Sequence, residues 1–504
     1  MSPCRKAELA RPSLCRSILL LASLTACHDL TLLEAPLPES AVDADALRIV
    51  VTNAQLQGIA VATRLAAGKS LEAAAPPLAL VQSGSAVLAA HTVAVAVAEG
   101  ALSVDQNTTL TLTYPLLIEP QTVVVQSPGS AACALQWAPT AISLTVRLRF
   151  GRGALNDVEI SLVEPAKIDF GGSALVDPAG CLAAVGGSAG GPITAHLEAA
   201  VVTAITTPYV QHARSAVATV LPPLWEHRAQ VTVDGGAIRW QFAYRSPPGL
   251  PPDRLISHNG TYLHAHLDAG FDADRHLCAV DALPPIGAIS PLVTHPPKEP
   301  QGPAVLRRVL VVEPPTIARL VWALHRSGLF CRGRAQGLEA RLDGYWAADL
   351  SPKLAGLVQP GPISARFWPG GVPTARVVEL SGSASIELHF PDALLEIAAP
   401  VEGVEVVVIR ARGQLRTRVA LNGVGGAWSL EVADASFESV AIDSPIASLG
   451  GLAGAEIEKT VFAVVSGIFD GPVVLPANVP ALAHADQVGE SLWLWLDGGV
   501  FGEP

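Results

Sequence analysis

The chain has 504 residues, half of them hydrophobic and only 15% charged, against about 25% in an ordinary globular protein. Its formal net charge is −12 and it has no basic run, which excludes a nucleic-acid partner held through phosphate contacts. Its length is ample for two large domains.

The chain opens with a basic region, Arg5, Lys6, Arg11 and Arg16, diluted only by Glu8. Ile18 to Leu24 is apolar apart from Ser23, and far shorter than the roughly 20 residues that span a bilayer. Leu24-Thr25-Ala26-Cys27 follows. An aliphatic residue, two small residues and a cysteine resemble the processing site of bacterial lipoproteins. The resemblance implies that residues 1–26 are a removable signal and that Cys27 carries a lipid anchor. His28, in place of Asp, implies the outer membrane, at its periplasmic or cell-surface face. Residues 27–44 read as a tether. No later segment offers 18 unbroken apolar residues, so no second span is expected.

Cys4 and Cys15 fall in the removable signal, which leaves Cys133, Cys181, Cys278 and Cys331. An even number in an exported chain suggests two disulfides. Three pairings are possible, and clustering along the chain favours Cys133–Cys181 and Cys278–Cys331. No CxxC or Cys/His spacing suggests zinc.

After Ala41 the dominant pattern has period two. Ile142, Leu144, Val146, Leu148 and Phe150 alternate with polar residues, as do Val158, Ile160 and Leu162. Ala384, Ile386, Leu388 and Phe390 alternate with Ser385, Glu387 and His389; Leu415, Val419 and Leu421, then Trp428, Leu430 and Val432, follow suit. Each reads as an antiparallel strand with one buried and one wet face. Three segments read as helix. Ala195 to Val220 is Ala-rich, with Pro208 as a kink or break. In Thr316 to Leu329, Ile317, Leu320, Val321 and Leu324 form a stripe, with Arg319 and Arg326 off it and Gly328 at the stop. Ile457, Val461, Val465 and Ile468 make a third stripe, ended by Gly471-Pro472. Pro-rich stretches around Ser246–Pro252 and Pro284–Pro303 read as irregular connections.

Two constellations invite a catalytic reading. Gly186-Gly187-Ser188-Ala189-Gly190 fits a nucleophile elbow, but that needs an alternating βα chain, which is absent. His264, His266 and Asp268 share one face of a strand in a geometry that could hold a metal, near His258, Asp272, Asp274 and His276. The bland alternative is the wet face of a strand beside an acidic loop. The Asp268–His276 segment lacks the spacing of a calcium loop. Arg307-Arg308 reads as a solvated pair of charges. No catalytic residue, metal ligand or cofactor is assigned, and the chain is read as a non-enzyme.

Several segments taken in order resemble one family. They are the strand pair Leu144–Phe150 and Val158–Val163; the segment Phe170-Gly171-Gly172 to Cys181, leading to the Ala195 helix; Leu310 to Phe330, containing Leu320-Val321-Trp322-Ala323-Leu324; and Leu475-Pro476-Ala477-Asn478 followed by Leu492-Trp493-Leu494-Trp495-Leu496. Together they are similar to the tubular lipid-binding superfamily, which includes the bactericidal/permeability-increasing and lipopolysaccharide-binding proteins. The chain departs from it near Ala318 and Arg319, where members often carry Asn. The resemblance implies an α+β fold: a two-domain elongated boomerang, each half a highly twisted antiparallel sheet wrapped on a long helix, with barrels over residues 45–235 and 236–504. It implies a phospholipid or lipopolysaccharide partner, its acyl chains held in apolar grooves without covalent chemistry, for lipid binding or transfer. Ile317, Leu320, Val321 and Leu324, with Ile457, Val461 and Val465, are the expected lipid-binding residues. The alternative is a β-rich structural or adhesive surface lipoprotein.

Overall fold

The computed structural model of the chain describes residues 30–33, 35–80, 86–105, 108–127, 131–154, 157–171, 175–181, 183, 189–221, 226–233, 236–246, 256–258, 262–280, 282, 307–331, 352–359, 364–380, 382–424, 427–446, 471–473 and 481–497. Cys27, Ser188 and the stripe Ile457, Val461, Val465 and Ile468 lie outside them. The chain divides into two compact units, each discontinuous in sequence: Val51–Pro223 with Pro248–His264 and Val500–Pro504, and Met1–Val50 with Leu224–Pro247 and Ala265–Gly499. The architecture is sheet-rich α+β.

The first unit holds two antiparallel sheets. The seven-stranded one runs Val158–Leu162, Thr140–Arg152, Leu110–Ile118, His91–Val97, Ser70–Ala75, with Lys167–Asp169 and Ala101–Val104 paired off the path. Ile142, Leu144, Val146, Leu148 and Phe150 are buried, as their alternation requires. The five-stranded sheet runs Leu175–Val176, Cys133–Trp137, Gln121–Gln126, Ala86–Leu88, Leu78–Leu80. The Cys133–Cys181 disulfide forms in this unit.

Two helices serve these sheets. Helix α1, Asn53–Ala67, was not expected. Its buried face is Leu56, Ile59, Ala60 and Thr63, a helical stripe hidden because a hydroxyl ends it. The Thr63 hydroxyl donates to the Ile59 carbonyl, 2.9 Å away, which lets it be buried without water. Helix α2 covers Gly190–Ala218 and continues through Pro208. One missing N–H does not end it, because Ile205 and Tyr209 are anchored in the interior on either side.

The second unit is built on two further sheets. Eight strands of one run in the order Leu30–Leu32, Glu226–Val233, Gly236–Arg245, Leu263–Ala273, Val42–Val51, Arg307–Val312, Ser491–Asp497, Ala481–Val488. Leu30–Leu32, within the expected tether, pairs with Val231, Gln230 and Ala229. The Cys278–Cys331 disulfide also forms here.

The other sheet runs Ser364–Pro369, Ser383–Val401, Val404–Val424, Ala427–Asp443, Gly471–Val473, with Thr374–Leu380 paired to Ser383–Val401. Its central strands have 19, 21 and 17 residues. Strands this long stay compact by curling. Register shifts at Phe390/Ala393, Ile397/Ala398, Arg412/Gln414 and Arg418/Val419 supply the added twist. Glu402 and Gly403, both with positive φ, turn the hairpin in the sense that matches that twist.

Ser385 and Glu387, expected on a wet face, are buried. For Glu387 the reason is a charged row across four strands: Arg376, Glu387, Arg418 and Asp434 are successive register partners. Arg376 Nε and Arg418 Nε donate to Glu387 at 2.7 and 3.2 Å, and their side chains cover it. A second row, Arg366, Glu396, Arg410 and Asp443, repeats the device.

Candidate functional site

The expected lipid-binding stripe lies on helix α3, Pro314–Arg326, followed later in the chain by the short helix α4, Pro352–Leu357. Pro314 and Pro315 sit at its first positions, where a missing N–H costs nothing. Glu313, just ahead of it, is extended, and its carbonyl accepts from the amides of Thr316 and Ile317. At the other end Ser327 caps the helix and Gly328 has φ +82. Leu329 N–H donates to the Leu324 carbonyl at 3.1 Å and Gly328 N–H to the His325 carbonyl at 3.0 Å, the paired bonds of a Schellman stop. Gly328 thus ends the helix where its position in the sequence foretold.

Ile317, Leu320, Val321 and Leu324 are all buried, as are Trp322 and Ala323. The strand Thr374–Leu380, which contributes buried Val377, packs beside the helix. Phe330, just past the helix, meets Phe390 edge-on at 5.4 Å between ring centres, and Phe390 meets Phe367 at 5.6 Å. Three of the seven expected lipid-binding residues, Ile457, Val461 and Val465, lie outside the described residues.

Arg319, read as lying off the stripe, is not solvated. It is 3% exposed and forks onto Asp43, with Nε 2.5 Å from Oδ2 and Nη2 2.7 Å from Oδ1, while Nη1 donates to the Ser40 carbonyl at 2.9 Å. The Thr316 hydroxyl donates to the Ala46 carbonyl at 2.7 Å. Glu313 pairs with buried Arg48 and accepts from the Ser491 hydroxyl at 2.7 Å. Residues 313, 316 and 319 advance by three along the helix, and their partners 48, 46 and 43 run backwards along the strand Val42–Val51. Helix α3 is therefore tied antiparallel along that strand by three polar links, which leaves its aliphatic stripe for apolar neighbours. Arg326, the other off-stripe arginine, stacks over Trp322 at 5.2 Å.

In the first unit the corresponding feature is α2. Ile193, Leu197, Val201, Ile205, Tyr209, Ala213 and Val217 are all buried and follow one another every four residues. At about 100° per residue, a spacing of four advances the buried row by roughly 40° each time. The row therefore winds around the helix, as contact with a twisted sheet demands. Helix α1 and the strand Ser70–Ala75 pack against it. Its polar content is small. Tyr209 and Tyr114 meet edge-on at 5.0 Å, and their hydroxyls donate to the carbonyls of Gly68 and Ala60 at 2.9 and 3.3 Å. Burial pushes the Tyr209 phenol up to about 12 and that of Tyr114 further, so both stay protonated donors.

The catalytic constellations fare differently. His264 and His266 are buried, and so are Ala265 and Leu267 on the opposite face. The wet-face expectation fails because the strand Leu263–Ala273 is an interior strand of its sheet, covered on both sides. The nearby acids face cross-strand arginines: Asp268 lies 3.5 Å from Arg245, Asp272 lies 3.3 Å from Arg239, and Asp274 also pairs with Arg239. Among the described residues, the groups of donor atoms that converge closely are His276 with Cys278 and Cys331, and Asp177 with Cys133 and Cys181. In each, both sulfurs are already bonded to one another.

No family model and no curated protein matches the chain. Among solved structures, it is similar to lipopolysaccharide binding protein, at 10% identity and a TM-score of 0.39, over 90% of this chain and 98% of that one. It is also similar to P47 of Clostridium botulinum E1, at 8% identity and a TM-score of 0.25, over 91% and 99% of the two chains. P47 from Clostridium botulinum A2 is similar at 8% identity and a TM-score of 0.23, over 90% and 97%. At such scores these likenesses assign neither a ligand nor a site.

Proposed function

We propose that this chain is a lipid-binding protein, held to the outer membrane through acylated Cys27, that shelters the acyl chains of a phospholipid or lipopolysaccharide without covalent chemistry. The observation that carries the reading is the form of the interior. Each unit sets a continuous aliphatic helix stripe, Ile317–Leu324 on α3 and Ile193–Val217 on α2, within antiparallel sheets lined by Ala, Val and Leu. Such walls suit an alkyl chain. Each buried CH₂ contributes about 0.8 kcal/mol, so a long chain is held without any polar contact. The two tyrosines of the first interior remain neutral donors and add no charge.

The test is native mass spectrometry of a soluble form beginning at His28, purified from bacterial cells, with organic extraction in parallel. A co-purifying phospholipid or lipid A at fixed stoichiometry supports the reading and names the lipid class. A folded protein that carries no lipid, even after incubation with liposomes, removes it.

One observation favours the alternative of a β-rich structural or adhesive surface protein. The strands of the five-stranded sheet contain no charged residue, yet Val87 and Val176 are 38% and 48% exposed on its outer face. An uncharged, partly apolar sheet face is suited to contact with another surface.

A further inference from the structure

The two disulfides sit in opposite electrostatic surroundings. At Cys278–Cys331, Nδ1 of His276 lies 2.9 Å from Sγ of Cys278 and accepts the Cys278 amide at 3.3 Å. At Cys133–Cys181, Oδ1 of Asp177 lies 3.4 Å from Sγ of Cys181 and accepts the Cys181 amide at 3.0 Å. One bond is flanked by an imidazole nitrogen, the other by a carboxylate oxygen.

Their accessibility differs in the same direction. Cys133 is buried within the five-stranded sheet, whereas its partner Cys181 is half-buried. Cys278 and Cys331 are both half-buried, and the residue between His276 and Cys278, Leu277, is fully exposed. The turn carrying them is anchored to the end of helix α3. His276 N–H donates to the Arg326 carbonyl at 2.8 Å, and Gly328, which has no side chain, leaves the space that the His276 ring fills.

We infer that Cys278–Cys331 is the thiol-exchange site of this protein, opened by an external dithiol while Cys133–Cys181 stays closed. Thiol–disulfide exchange is faster when the departing sulfur is stabilised as a thiolate and the attacked sulfur can be reached. A dithiol thiolate attacks Sγ of Cys331, forming a mixed disulfide and breaking the Cys331–Cys278 bond. Cys278 departs as a thiolate beside His276, whose Nδ1 takes up the proton released by the dithiol and donates it to the sulfur. The second thiol of the dithiol then attacks its partner sulfur, expels Cys331 and closes the dithiol into a cyclic disulfide. The protein gains two electrons and two protons, and the dithiol loses the same. At the other bond, attack on Cys181 brings an anion toward Asp177 and leaves a thiolate on buried Cys133; both raise the barrier. Opening Cys278–Cys331 removes the covalent tie between the turn after Ala273 and the end of helix α3, leaving the His276–Arg326 hydrogen bond as a weaker one.

The test uses the full-length protein, dithiothreitol at graded concentrations, an acid quench, alkylation and peptide mass mapping. Cys278 and Cys331 are expected to be labelled about tenfold faster than Cys133 and Cys181, or more, a difference of about 1.4 kcal/mol in barrier. His276→Gln should slow labelling of Cys278 and Cys331 several-fold without changing the other pair. Asp177→Asn should speed labelling of Cys133 and Cys181. Equal rates, or prior opening of Cys133–Cys181, overturn the inference with no variant needed, and so does an unchanged rate in a folded His276→Gln protein.

Discussion

Arg319 on helix α3 and Asp43 on the strand Val42–Val51 form a two-pronged ion pair across 276 positions of sequence, with the guanidinium 3% exposed and the carboxylate 17%. Desolvating an arginine to this degree is unfavourable unless a carboxylate meets it, so each residue makes the other's position tolerable. Removing Asp43 alone should leave a buried, uncompensated charge. Asp43→Ala is expected to cost roughly 3 kcal/mol, and Asp43→Ala combined with Arg319→Met less than that. Urea denaturation of the three proteins checks the order; a double variant less stable than the single one would refute it.

Gly328 is constrained twice, by φ +82 and by the His276 ring, with which an added Cβ would collide. Gly328→Ala should destabilise by roughly 2 kcal/mol, combining the cost of a positive φ with displacement of the ring. Gly356, in helix α4, faces open space. Its replacement by Ala should be neutral or stabilise by about 0.5–1 kcal/mol. Thermal unfolding of both variants makes the comparison.

If Leu320 and Leu324 line a lipid groove, bulk placed there should exclude the lipid. Leu320→Trp with Leu324→Trp is expected to reduce co-purifying lipid while the far-ultraviolet circular dichroism spectrum is retained. Unchanged lipid content in the folded double variant removes these residues from the site. Membrane attachment is tested separately. Cys27→Ser should move the protein from the membrane fraction to the soluble one, and retention on the membrane would exclude an anchor at that thiol.

His325 is 1% exposed, and neither ring nitrogen has a hydrogen-bond partner among the described residues. Burial pushes its pKa from 6.5 down to about 4. The unfolded chain therefore binds a proton that the folded chain refuses across this interval. Stability from this residue is fully present above pH 6.5 and is lost as pH falls toward 4. The loss amounts to at most roughly 3 kcal/mol. Half-buried His258, lowered by the same cause, acts in the same direction. His325→Leu should flatten the decline between pH 6.5 and 4.5 without abolishing it, as measured by denaturant midpoints. At Glu387 burial pushes the carboxylate up, but the hydrogen bonds from Arg376 and Arg418 outweigh it and hold the pKa below the usual range. Its contribution is lost only at lower pH.

Local pattern determined much of this protein. The alternation from Ile142 to Phe150 places those side chains inside, because a strand's faces follow from backbone geometry alone. The stripe Ile317–Leu324 and the stop at Gly328 are likewise short-range facts, and so was the clustering of cysteines that favoured the two disulfides found. Helix α1 was legible only to a reader who admits Thr63 to an apolar stripe, and that depends on a hydroxyl finding the Ile59 carbonyl.

Tertiary structure decided which polar residues leave water. Arg319, Glu387, His264 and His266 each look solvent-facing along the chain, and each is buried because a distant strand or side chain covers it. It also decided that Leu30–Leu32 joins a sheet. A charge or an unpaired strand edge becomes tolerable in the interior only when its partner arrives, and those partners lie up to 276 residues away. Periodicity reports which face of an element is apolar; it does not report what comes to lie on the other face.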